Sequence, residues 1–491
     1  MIDLARKTID GATVNVSVTL FKTVLQFVVV LPILAREISP MQFGLVGMAM
    51  AFVTFFTMFN DLGISAALVR EDKPSPAFWS SAFWTNFAIG TMLTCLSYLA
   101  APWIAAFFTE PIVEPLVEAL SLVLLMHCLF LVPMAWLQRN FKFVTIATID
   151  LSATILSAAS AIWAAFQGYG VWALVIQQLV MFGVKMVGGL ASQRAPLRLV
   201  YDSSEIIRVL PFSLRLTGTA FVGFLNRNTD NILIGRFLGA ESLGFYGRAY
   251  QIMLVPVHSI STGAGFALYP AMSAIKDDVA RLANVYLKAQ SVLTAITLPM
   301  MTGLALVSTP FVALVFGPKW HAVAPVLTFL SFAGVVQALT GTSNVLWKAL
   351  GQSEVLLRWS IIRMVGFVSA FIIGIWMGSI ANLAAVYLLA NLILFAPFQL
   401  GTLRRIGLPA RDFIRSVTPC VISTAIMAIV LMGLKWSLPE IESWRALNQL
   451  GLLVPAGIVS YVLAMTLLFR SYLKSLLGEA KDLFVRKARP A

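Results

Sequence analysis

The chain has 491 residues, 59% of them hydrophobic and 12% charged, with a mean hydropathy of +0.87. These values exclude a soluble globular domain, whose surface needs about a quarter of its residues charged. The net charge of +13 reads as orientation signal and attraction to anionic lipid, not as a nucleic-acid footprint.

A bilayer core requires about 20 predominantly apolar residues per spanning helix. In chain order, runs of that kind lie near 12–34, 43–66, 77–100, 116–137, 144–166 and 170–192. After a polar stretch they resume at 209–235, 246–270, 286–308, 323–346, 357–378 and 381–402, and a last pair falls at 414–435 and 447–469. The expectation is an all-α integral membrane protein with about 14 transmembrane helices. Barrel strands would alternate over about ten residues, and these runs do not. Pro211, Pro256, Pro299 and Pro397 fall inside the runs, where they predict bends or unwound turns. The N-terminal MIDLARKTIDGATV carries no small-residue cleavage signature, so the first run is expected to remain as a helix.

Lys and Arg set the orientation. Of the 35 basic residues, Lys22, Lys185, Arg215, Arg227 and Arg363 fall inside spans. Only Arg36, Arg236, Arg248, Lys319, Lys435 and Arg445 fall on one side, and the other 24 on the side of both termini. Both termini are therefore expected in the cytoplasm. The basic tail 470–491 reads either as an amphipathic helix on the membrane surface or as an extension of the last span.

Cys95, Cys128 and Cys420 stand alone inside apolar runs, and His127, His258 and His321 are isolated. Neither a disulfide framework nor a metal site is indicated, and no cofactor is expected. No phosphate-binding lysine loop appears, so ATP hydrolysis in this chain is not expected to drive transport.

The chain repeats itself. LAREISPMQFGLVGMA at 34–49 matches IGRFLGAESLGFYGRA at 234–249 without a gap, pairing Arg36 with Arg236, Gly44 with Gly244, Gly47 with Gly247 and Ala49 with Ala249. At 100° per residue, Asn15, Thr19, Lys22 and Gln26 form one stripe of the first span, and Arg215, Thr219, Asn226 and Asp230 one of the seventh. Three of these pairs stand at the same offset of two hundred. Six helices separate the copies, which predicts two parallel six-helix lobes related by a pseudo-twofold along the membrane normal, plus a C-terminal helix pair. The expected lobes are 1–195 and 209–402, joined by a cytoplasmic linker at 196–208 and followed by the pair at 403–469. Parallel repeats build transporters whose substrate path lies between the halves.

Charge inside a span costs about 2.5–3.5 kcal/mol on insertion scales. Lys22, Arg215, Arg227 and Arg363 therefore read as cations of a wet cavity, with Asn15, Thr19, Gln26, Thr219 and Asn226 as its polar lining. Arg227 and Asp230 are also placed to pair with each other, and Lys185 to reach a membrane surface. Asp61 and Asp230 are candidates for coupling to an ion, with capping of a turn before Gly63 as the alternative for Asp61. The excess of cations implies anionic cargo, which a lipid pyrophosphate fits.

The runs MQFGLVGMAMAFVTFFTMFNDLGISAALV at 41–69 and NTDNILIGRFLGAESLGFYGRAY at 228–250 resemble the polysaccharide transporter family of oligosaccharide flippases. The resemblance covers essentially the whole chain. It implies a transporter, not an enzyme, that moves a polyprenyl-pyrophosphate-linked oligosaccharide repeat unit across a bacterial inner membrane for exopolysaccharide, capsule or O-antigen of lipopolysaccharide. It implies gradient coupling, and a polysaccharide polymerase and chain-length proteins as possible partners. In such a flippase amides and hydroxyls would contact sugar and aromatics such as Trp84 or Tyr250 would stack on it, although Trp and Tyr more often form the interfacial belt. A multidrug exporter or a lipid II flippase of the same superfamily is the alternative; a cationic cavity disfavours the first by repelling cationic drugs. A membrane enzyme is the weakest reading, because the loops at 309–322 and 436–446 are short.

Overall fold

The computed structural model describes residues 18–484 other than 20, 62, 72, 73 and 194–196, and leaves out the side chains of 210–223, 225–227, 259–264, 266, 267, 442, 477 and 479–484. Helices dominate and no strand occurs among the described residues. Eleven helices there are long and apolar enough to cross a membrane. The chain is thus a multi-pass helical membrane protein.

A π-helical stretch, Leu25–Val30, leads into α1 (Leu31–Glu37), where Pro32 has no N–H to continue the preceding ladder. α2 (Pro40–Thr57) starts on a capping box in which the Ser39 and Gln42 side chains each accept the other's backbone N–H. Here the sequence expectation needs correction. The second span, expected unbroken over 43–66, stops at Thr57, and helix resumes only in α3 (Ile64–Arg70). The local cause is turn chemistry: Asp61 Oδ1 accepts from Ser65 N, and Gly63 takes φ 78°.

α4 (Pro76–Phe108), α5 (Val113–Arg139), α6 (Phe143–Phe166) and α7 (Val171–Ser192) match the next four expected spans within a few residues, apart from an extra two turns at the end of α4. α8 (Ser203–Ala274) consists of two helical arms that meet at a kink at Gly239, where φ is 83°. Its arms, 203–238 and 240–274, hold the expected seventh and eighth spans. The chain continues through α9 (Val279–Leu306), the short α10 (Ser308–Val315), α11 (Val323–Ala349), α12 (Ser353–Trp376), α13 (Ile380–Arg405), α14 (Ala410–Ser437) and α15 (Ala446–Leu468). A bend at Phe469 separates α16 (Arg470–Phe484), so the tail does not simply extend the last span.

The chain separates into two compact units, the first ending at Gly244 and the second beginning at Phe245. In the first, α4 packs on α5 and α6 on α7. Arg139 at the end of α5 donates to the carbonyls of Leu68, Val69 and Glu71 and so caps α3. The linker is tied to the start of α4, because Arg198 N donates to Ser80 Oγ and Asp202 N to Ser81 Oγ. α2 and α8 cross with backbone against backbone: a Cβ on Gly44 would lie 1.7 Å from Ala240 O, and one on Gly244 2.0 Å from Pro40 O.

In the second unit α11 packs against both α9 and α13, and buried polar groups join the three. Tyr286 Oη lies 2.8 Å from Ser343 Oγ, Gln399 Nε2 donates to Tyr286 Oη at 2.7 Å, and Trp347 Nε1 donates to Thr402 Oγ1 at 2.9 Å. α16 docks through the buried Leu476 and through Tyr472, whose hydroxyl donates to Ser416 O. Trp103, Trp376 and Trp436 near the ends of α4, α12 and α14 are 73–89% exposed, as an interfacial aromatic belt requires.

Candidate functional site: charged and polar groups within the helices

Lys22 precedes the π-helical stretch and turns toward α6, where its Nζ lies 3.2 Å from Asp150 Oδ2. Lys185 of α7 approaches the other oxygen, Asp150 Oδ1, at 3.0 Å. One carboxylate thus holds two ammonium groups from different helices, and the three side chains are only 23–29% exposed. The cluster carries one surplus positive charge. Asp150 and the pairing role of Lys185 were not anticipated as site features. Their signal in the sequence was the rarity of charge inside spans, which marks a residue without naming its partner.

Of the remaining expected residues, Thr19 is exposed and its carbonyl accepts from Thr23 Oγ1, while Gln26 is half-buried within the π-helical stretch. Asn15, and the side chains of Arg215, Thr219, Asn226 and Arg227, lie outside the described residues, as does the expected pairing of Arg227 with Asp230. Asp230 is buried, and its Oδ1 accepts from Asn231 N at 2.8 Å.

In the second unit Arg363 stands over the Phe398 ring at 5.1 Å and reaches Asn344 Oδ1 and Trp359 O, each at 3.4 Å. The planar guanidinium is thus held between an aromatic face on one side and amide oxygen on the other. Trp84, considered for sugar stacking, donates its Nε1 to Arg198 O at 2.9 Å. Tyr250 stacks on Tyr246 with a 15° interplanar angle.

Asp61 lies in the break between α2 and α3. Its Oδ1 accepts from Ser65 N at 2.9 Å, Ser65 Oγ at 2.6 Å and Asn86 Nδ2 at 3.5 Å. It caps the turn, and the same carboxylate also faces α4.

Residues 33–325 match the family model described as "Polysaccharide biosynthesis protein". The chain belongs to this family. The resemblance read from 41–69 and 228–250 is borne out, and with it the expectation of a membrane transporter in place of an enzyme. Among relatives, the succinoglycan biosynthesis transport protein ExoT of Rhizobium meliloti is 27% identical, over 95% of this chain and 94% of its own. The teichuronic acid biosynthesis protein TuaB of Bacillus subtilis is 27% identical over 87% of each chain. The lipopolysaccharide biosynthesis protein WzxC of Escherichia coli is 26% identical over 80% of each. Among solved structures, an inward closed lipid II flippase MurJ superposes with a TM-score of 0.72 at 16% identity, covering 93% of this chain and 98% of the other. An inward-facing multidrug transporter of the MATE family gives 0.60 at 18% identity, over 78% and 94%. These two likenesses concern the fold.

Proposed function

We propose that the protein is a flippase for a polyprenyl-pyrophosphate-linked oligosaccharide repeat unit, moving it from the cytoplasmic to the periplasmic leaflet of a bacterial inner membrane by alternating access. The observation that carries the reading is the surplus cation of Lys22, Asp150 and Lys185 inside the helices of a polysaccharide-family transporter. An anionic head group is the cargo that such a charge favours. The names of ExoT, TuaB and WzxC, which refer to succinoglycan, teichuronic acid and lipopolysaccharide biosynthesis, support the same class of cargo.

Lys22, Arg215, Arg227 and Arg363 would hold the pyrophosphate, and Asn15, Thr19, Gln26, Thr219 and Asn226 would meet sugar hydroxyls. Asp61 and Asp230 would couple the cycle to an ion gradient. The helix beginning before residue 25 and the two arms of α8, added to the eleven long apolar helices, make the fourteen spans of this reading. Both termini lie in the cytoplasm. The reciprocal contacts of Gly44 with Ala240 and of Gly244 with Pro40, related by the repeat offset of two hundred, support parallel repeats.

The test is depletion of the protein in its own cell, followed by extraction of polyprenyl-linked sugars. The expected result is accumulation of repeat units on lipid pyrophosphate with loss of surface polysaccharide. Unchanged repeat units with sensitivity to cationic dyes would replace this reading with drug export, and accumulated lipid II would replace it with peptidoglycan precursor transport.

A further inference from the structure

The break between α2 and α3 lies deep in the first unit. Asn60 meets His127, the fifteenth of 27 residues in α5, and Asp61 meets Asn86, the eleventh of 33 in α4. At 1.5 Å per residue both partners stand about 15 Å or more from the nearer end of their helix, around the middle of a hydrocarbon layer about 30 Å thick. Unwound backbone at that depth is tolerated where it is buried in protein or lines a polar cavity.

The polar groups at the break leave an uneven set of atoms. Asn60 and Asn86 are both 0% exposed. Asn60 Nδ2 donates to His127 Nδ1 at 2.9 Å and to Leu124 O at 3.5 Å, and Asn60 O accepts from Cys128 Sγ at 3.4 Å. Asn86 Nδ2 donates to Asp61 Oδ1, which also takes both Ser65 donors. Both amide nitrogens are thus engaged, Asn60 Nδ2 twice and Asn86 Nδ2 once. Asn60 Oδ1 and Asn86 Oδ1 remain buried without a partner, and Asp61 Oδ2 accepts none of these bonds.

Three leftover oxygens, all acceptors and one of them carboxylate, call for a positive ligand. Asp61 makes no ion pair with Lys or Arg among the described residues, in contrast to Asp150. The C-terminal end of α2 turns the negative end of an 18-residue helix toward the same break. A water molecule could satisfy the two buried amide oxygens but brings no charge to match the carboxylate of the half-buried Asp61. A divalent ion would place two charges against one carboxylate and leave one of them uncompensated in the bundle.

We propose that the break binds a small monovalent cation of the size and oxygen preference of Na+, with Asp61 neutralising it and the Asn60 and Asn86 side-chain oxygens completing its ligands. The role of this ion in transport rests on the flippase reading; its binding does not. Helix ends and unwound backbone serve cation binding in transporters for the electrostatic reason met here.

The test uses purified full-length protein in detergent, with radiolabelled sodium binding and thermal unfolding measured in NaCl against choline chloride at equal ionic strength. The expected result is saturable sodium binding, accompanied by a Na+-dependent rise in melting temperature. Asp61→Asn should lower sodium affinity at least tenfold. Asn86→Ala, which leaves the Asp61 cap on Ser65 in place, should lower it as well, so the outcome does not depend on one variant folding. Lys22→Ala should lose export and keep sodium binding, which separates failure of the cargo reading from failure of this one. Absence of saturable binding in the unaltered protein would overturn the proposal. So would binding untouched by both variants at the break, or a stabilisation that follows pH and ignores Na+.

Discussion

Asp150 is held between Lys22 and Lys185, and neither ammonium pairs with another acid among the described residues. Removing a shared counter-charge leaves two cations facing each other in a poorly hydrated place, which is costlier than the pair was stabilising. Asp150→Asn is therefore expected to lower stability by about 1–3 kcal/mol, read as a loss of thermal stability in detergent. Adding Lys185→Met should recover part of that loss, and a strictly additive double variant would argue against the shared pairing. Lys22 was legible in the sequence as a charge inside a span. Its partner was not, because 128 residues separate the two, and helical periodicity places a residue on a face without saying which faces meet.

At the scale of elements, the repeat pairs two glycines of α2 with two of α8 in the same way, yet packing treats them differently. Gly44 and Gly244 lie against backbone carbonyls, whereas a Cβ on Gly247 meets nothing within 4 Å. Carbonyl oxygen cannot rotate aside as a side chain can. Gly244→Val is accordingly expected to force α2 and α8 apart and abolish the monodisperse folded peak in size-exclusion chromatography. Gly247→Ala should stay within about 0.5 kcal/mol of the original, apparent as an unchanged melting temperature. The spans themselves were readable because each must supply its own apolar length. The α2 break was missed although its turn residues, Asn60, Asp61 and Gly63, were visible. Hydropathy averages over a window and passes across a short break flanked by apolar residues.

For the whole molecule, the distribution of Lys and Arg predicts the topology, and cysteine accessibility measures it. Native Cys128 and Cys420 are buried, so Cys95→Ser gives a quiet background. In that background Ser443→Cys, on the exposed turn between α14 and α15, is expected to react with a membrane-impermeant maleimide in spheroplasts with an intact inner membrane. Ser204→Cys, exposed at the start of α8, should react only after lysis. Labelling of Ser204→Cys in intact spheroplasts would reverse the orientation. A matching test of cargo charge is Lys22→Ala beside Arg215→Glu: both should reach the membrane in normal amount and lose export, and full export in both would remove the cationic cavity.

Membrane insertion, the helical class, most span limits and the repeat were determined by the sequence alone. Each follows from local quantities, namely apolar length, charge position and residue identity at a fixed offset, that need no knowledge of neighbours in space. The family resemblance was likewise carried by contiguous runs. Only the tertiary structure decided that Asp150 bridges Lys22 and Lys185, that Gly244 is tight while Gly247 is open, and that Asn60 and Asn86 are left with unmet oxygens beside Asp61. Those facts depend on which helix faces meet and at what depth. In a bilayer every helix is similarly apolar, so hydropathy places the helices in the membrane, while close packing and the pairing of rare polar groups choose their neighbours.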